Sequence, residues 1–161
     1  MKKIIRDRII FAVVACIAMA GIIFFCHTQQ SAPIHMPEEI RSIMGEEADA
    51  SFSLYFSELE NWYASQTPVN GAVTLSGQDQ YDEMCRPLEA LNPFLTACGQ
   101  VTDMEAFAKV EEYLTPMSMF TLIYFNAVEE FYFYGSYTFA AEDWSAMGTA
   151  LQNMTDYYRA Q

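Results

Sequence analysis

The sequence predicts an all-α protein: an N-terminal transmembrane or signal helix, then a four- to five-helix bundle with one disulfide-stapled corner. Three observations carry that prediction. An uncharged apolar run follows a basic N-terminus. Apolar residues then recur in steps of three and four over two long stretches. Helix-start signals punctuate the chain between them.

The first segment reads MKKIIRDRIIFAVVACIAMAGIIFFCHTQQ. Lys2, Lys3, Arg6 and Arg8 stand against Asp7 alone, and Ile9 to Phe25 is an uncharged run that Cys26 extends. At about 1.5 Å per residue this run sits near the lower limit for crossing a hydrocarbon core of about 30 Å. Ala18-Met19-Ala20 offers a cleavage site, yet Gly21 to Phe25 stays apolar where a cleaved signal turns polar. Phe24-Phe25 puts bulky rings where a lipidated Cys26 would want small residues. A retained anchor is therefore the leading reading, with a cleaved signal and a lipoprotein as the alternatives. The basic flank places the N-terminus in the cytoplasm and the remainder outside it. The organisation expected is an anchor at 1–27, a tether at 28–36 and an exported domain at 37–161. The expected location is the bacterial cytoplasmic membrane, or the periplasm or exterior if the segment is cleaved.

Pro33 and Pro37 and the small residues around them mark the tether. The first helix begins at Pro37, with Glu38 and Glu39 at the positive end of its dipole. Ile40, Ile43, Met44, Ala48, Phe52, Tyr55, Phe56, Leu59, Trp62 and Tyr63 then form one helical face that Gly45 bends or divides. Gln66 to Gln80 has no helical period and holds Pro68, Asn70-Gly71 and Ser76-Gly77. It reads as a packed loop, although alternating Val73 and Leu75 leave a short strand open. Two short helices follow, at about 79–86 and 93–98, because Pro87 disfavours a helical Arg86 and Asn92-Pro93 resembles a cap with its first-turn proline.

Thr102-Asp103-Met104-Glu105 matches a capping box ahead of Met104, Phe107, Val110 and Leu114. Thr115-Pro116 then opens a separate helix that ends at Gly135. Its segment from Phe120 onward is apolar almost all round, which predicts the central helix of the bundle, with Phe125 and Phe131 both in the core. The last helix, from about Phe139 to Arg159, carries Ala140, Trp144, Met147, Leu151, Met154 and Tyr158 as a heptad-like seam.

Beyond the anchor, twenty acidic residues face only Arg41, Arg86, Lys109 and Arg159, a net charge of −16. Such a surface repels nucleic acid and favours cations or basic proteins. Cys85 and Cys98, close in sequence and outside the cytoplasm, are expected to pair. His27 and His35 are the only histidines, and both precede the bundle, so neither a metal site nor a histidine-based catalytic site is expected. No cofactor is implied. The functional expectation is a non-catalytic interaction module, touching the membrane through residues 9–26 and binding another envelope protein, one that is basic if charge guides it. Its candidate surface is Tyr124, Glu129, Glu130, Tyr132, Tyr134 and Tyr137. The alternatives are a periplasmic immunity or inhibitor protein against a basic toxin or enzyme, and a carrier of a small apolar ligand.

Overall fold

The computed structural model describes residues 32–161, and the anchor expected over residues 9–26 lies outside them. Among the described residues the order is α1 (Glu38–Met44), α2 (Glu46–Ser65), β1 (Val73–Ser76), α3 (Gln78–Ala90), α4 (Asn92–Gln100), α5 (Met104–Tyr134), β2 (Ser136–Phe139) and α6 (Ala141–Arg159). The chain is thus mostly helical, as expected, with one antiparallel ribbon added. No described helix is long and apolar enough to cross a membrane.

Gly45, at φ 90°, divides the first predicted helix into α1 and α2. The predicted face is nonetheless continuous: Ile40, Met44, Ala48, Phe52, Tyr55, Phe56, Leu59 and Trp62 are all buried. The core also reaches back before α1, where Ile34 and Met36 are buried. Asp49 of α2 fastens this strap, accepting the Met36 N–H at 2.6 Å and facing His35 Nδ1 at 2.8 Å.

Asn70 and Gly71, both at positive φ, form a tight turn closed by reciprocal Val69–Ala72 hydrogen bonds of 2.8 and 3.1 Å. That turn chemistry belongs to a two-residue hairpin. The strand that follows finds a distant partner instead. β1 pairs with β2 antiparallel, from Val73 opposite Phe139 to Ser76 opposite Ser136. Val73, Leu75 and Phe139 point into the core. The segment read as a packed loop therefore contains the short strand left open there, and a residue expected in the last helix, Phe139, lies in β2.

The corner between α3 and α4 departs from expectation in two ways. Pro87 sits inside α3, which runs on to Ala90, because the clash it imposes on Arg86 disfavours the helical region without closing it. The disulfide is a correction: Cys85 and Cys98 are both free thiols on separate helices. The corner is held by Ser51 of α2, whose hydroxyl donates to the Ala90 carbonyl at 2.6 Å and accepts the Phe94 N–H at 3.1 Å. Phe94 closes it from below, buried against Phe52.

The largest correction is α5, one helix of 31 residues where two were expected. Asp103 caps it, accepting the Ala106 N–H at 2.8 Å, in the place the capping-box reading gave to Thr102. Val110, Tyr113, Met117, Phe120, Tyr124, Ala127, Val128 and Phe131 form a buried stripe that passes Pro116 without a break in phase. Ending a helix at Thr115 would interrupt that stripe, whereas keeping it loses one ladder bond, to the Glu112 carbonyl. Thr115 bonds beside the gap, its hydroxyl donating to the Glu111 carbonyl at 3.1 Å. Met104 and Phe107, expected on the core face, point outward.

α6 meets its expected seam with Trp144, Met147, Leu151, Met154 and Tyr158 buried, and only Ala140 falls outside it. The Tyr158 hydroxyl donates to the Tyr113 carbonyl at 2.7 Å, and Arg159 donates to both Glu60 carboxylate oxygens at 2.7 and 2.8 Å. Between α2 and α5 the core is aromatic, with ring centroids 5.6 Å apart for Phe52–Tyr113 and 5.0 Å for Trp62–Tyr124.

Candidate functional site

α5 packs against α1, α3, β2 and α6, all through one side. The opposite side of its second half is open to solvent. Met119, Leu122, Ile123, Phe125, Tyr132, Phe133 and Tyr134 are exposed there, Phe133 by 68% and Tyr134 by 78%. At 100° per residue, Met119, Leu122, Ile123, Asn126, Glu130 and Phe133 lie on this outer side, with Phe125 and Tyr132 on its flank. The central-helix expectation thus holds for Phe131, 1% exposed, and fails for Phe125, 56% exposed. The helix is apolar all round because one side is core and the other is uncovered.

Five of the six predicted surface residues gather near the C-terminal end of this helix. Glu129, Glu130, Tyr132 and Tyr134 are exposed, and Tyr137 is half-buried on β2 beside them. Tyr124 is a correction. It is fully buried, packs on Trp62 and donates its hydroxyl to the Met84 carbonyl at 2.7 Å. It belongs to the continuous inner stripe, which the two-helix reading obscured. Met119, Leu122, Ile123, Phe125 and Phe133 were missed for the same reason. Drawing one stripe from Val110 to Phe131 would have left them over as a second, outward set.

The charged groups that α5 and α6 bring to the patch are acidic. Glu130 and Asp143 both lie near enough to Tyr137 to add to the burial that raises its pKa. From Val110 to Tyr158 the chain has no lysine, arginine or histidine and has seven acidic residues. On the flank, Tyr81 packs on Phe131 and Tyr132 with centroids 5.5 and 5.9 Å away. A hydrogen bond with the Cys85 thiol, helped by desolvation, pushes the Tyr81 phenol up to about 12.

Along the other edge of the patch runs an open groove of about 340 Å³ between α5 and α6. Pro116, Met119, Phe120, Ala150, Asn153, Met154 and Tyr157 line it. Among the described residues, no three His, Cys, Asp or Glu side chains group as a metal site requires. The arrangement is suited to contact: an apolar, aromatic helix face, a shallow groove and a rim of carboxylates.

Compared with protein-family models, curated proteins and solved structures, the chain matches none.

Proposed function

We propose that the protein is a membrane-anchored, non-catalytic interaction module that presents the outer side of α5 to another envelope protein. The observation that carries this is the run of exposed apolar side chains from Met119 to Tyr134 on a helix whose other side is core. Contiguous apolar surface of this size on a small domain marks an interaction site. Four of the rings are more than half exposed, and an aromatic side chain offers about 150–250 Å². With Met119, Leu122 and Ile123 the patch approaches the roughly 800 Å² per partner of a stable interface. The basic flank at Lys2 to Arg8 and the apolar run 9–26 support an anchor with its N-terminus in the cytoplasm.

The test uses the full chain in its native membrane, with a photo-crosslinking residue at Leu122 or Phe133. One discrete adduct with another envelope protein is expected from both, and none from the exposed Ser57 on α2. Crosslinks at neither position, or equal labelling from Ser57, would overturn the reading.

Glu129 and Glu130, set among exposed rings, favour a second reading: an immunity or inhibitor protein that neutralises a basic toxin or enzyme. It differs in requiring a stoichiometric complex that abolishes the partner's activity. A carrier of a small apolar ligand is less favoured, because such sites enclose most of their ligand and this groove is open.

A further inference from the structure

We infer that the α5–α6 groove takes a basic amphipathic helix of the partner protein. This rests on the interaction-module reading and adds the partner's chemistry. The groove runs between two helices, floored by Phe120 and Met154 and walled by Met119 and Tyr157. Its apolar wall continues along α5 through exposed Ile123 towards Glu130. From Pro116 to Glu130 that is about 21 Å at 1.5 Å per residue, close to four turns of a helix laid alongside. A helix seats one apolar stripe in such a trough, which is how amphipathic helices are recognised.

Charge selects the sign of the partner. No cation occurs anywhere from Val110 to Tyr158, so every charged group that α5 beyond Lys109 and α6 before Arg159 present is a carboxylate. Glu130 lies near the C-terminal end of α5 and Asp143 in the first turn of α6, and both are close enough to Tyr137 to raise its pKa, second to its burial. Lysines or arginines flanking the partner's apolar stripe would meet unopposed acids there, which raises both affinity and association rate. A second copy of this chain is disfavoured as occupant, since it brings the same acidic face and, beyond residue 27, another net −16. Anionic lipid headgroups are disfavoured on the same ground.

The test needs three fluorescent peptides of about four to five turns. The first has a leucine stripe with a lysine polar face. The second keeps the stripe and replaces the lysines with glutamates. The third has the lysine composition scrambled so that no stripe forms. Each is titrated against the full chain in phosphatidylcholine nanodiscs, with empty nanodiscs subtracted. The lysine peptide with the stripe is expected to bind, and the other two to bind at least about tenfold more weakly. Ile123→Glu, and independently Met119→Glu, should cost about tenfold or more with the unfolding midpoint unchanged. The Glu130→Gln/Asp143→Asn pair should weaken binding and flatten its salt dependence.

Equal binding of the glutamate peptide, no binding of the lysine peptide, or binding indifferent to both Ile123→Glu and Met119→Glu would overturn the inference. So would self-association of the chain that either substitution abolishes. If Leu122 and Phe133 crosslink to a protein while the lysine peptide fails to bind, the module reading stands and the basic helix alone is refuted.

Discussion

The Ser51 hydroxyl touches three helices at once: it sits on α2, donates to the last carbonyl of α3 and accepts from the first turn of α4. Ser51→Ala strands a part-buried carbonyl and a buried N–H together, and a buried orphan costs about 1–3 kcal/mol. Urea denaturation should show a loss in that range. Cys85→Ser should shift the midpoint far less, because the thiol is free and only half-buried. An equal loss from Cys85→Ser would return the corner to its cysteines. The same measurement separates the two sides of α5. Phe131→Ala empties a fully packed site and should cost about 3–5 kcal/mol. Phe125→Ala, on the flank of the outer face, should stay within about 0.5 kcal/mol.

At the scale of elements, α2 and α6 were legible because their apolar spacing is interrupted by polar residues, so only one face could be core. α5 was not, for two reasons. A proline after a threonine carries the same local signal whether it opens a helix or sits inside one. A helix apolar on both sides has no periodicity to say which side is buried. The ribbon was hidden by distance: the turn at Asn70-Gly71 is readable locally, but β1 pairs with β2 across 60 to 66 residues. Of the candidate site, Glu129, Glu130, Tyr132 and Tyr134 were found because they break or end the apolar run, and Tyr124 was misplaced because it does neither. Pro116 tests the single-helix description. Pro116→Ala restores a donor to the Glu112 carbonyl and replaces the worst interior helix residue by the best. Stability should rise by about 1–3 kcal/mol in urea denaturation. A loss instead would mean that the proline shapes the helix so as to seat Met117 and Phe120.

Over the whole molecule, the core is distinguished by tyrosines whose rings and hydroxyls are both shielded from water. Tyr55, Tyr113, Tyr124 and Tyr158 are all buried. Desolvation pushes the Tyr55 phenol up to about 12, the distant Thr121 hydroxyl opposing it only weakly. Burial raises Tyr113, Tyr124 and Tyr158 further still. In the unfolded chain these groups ionise near pH 10. Between that pH and their folded values the native state holds protons that the unfolded state has released, so stability falls as pH rises. Their contribution is whole below pH 10 and drains away through pH 12 and beyond. The four groups titrate out of the same core, so the loss should be cooperative unfolding and not local fraying. Each adds up to about 1.4 kcal/mol per pH unit to the slope. Tyr55→Phe isolates one of them, since the bond it removes is 3.5 Å long and contributes little. Denaturation followed between pH 9 and 12 should show the Tyr55→Phe variant losing stability more slowly by about one proton's worth of slope, with nearly equal stability at pH 8. Identical slopes for the two proteins would place the Tyr55 hydroxyl in water and remove it from the aromatic core that carries α5.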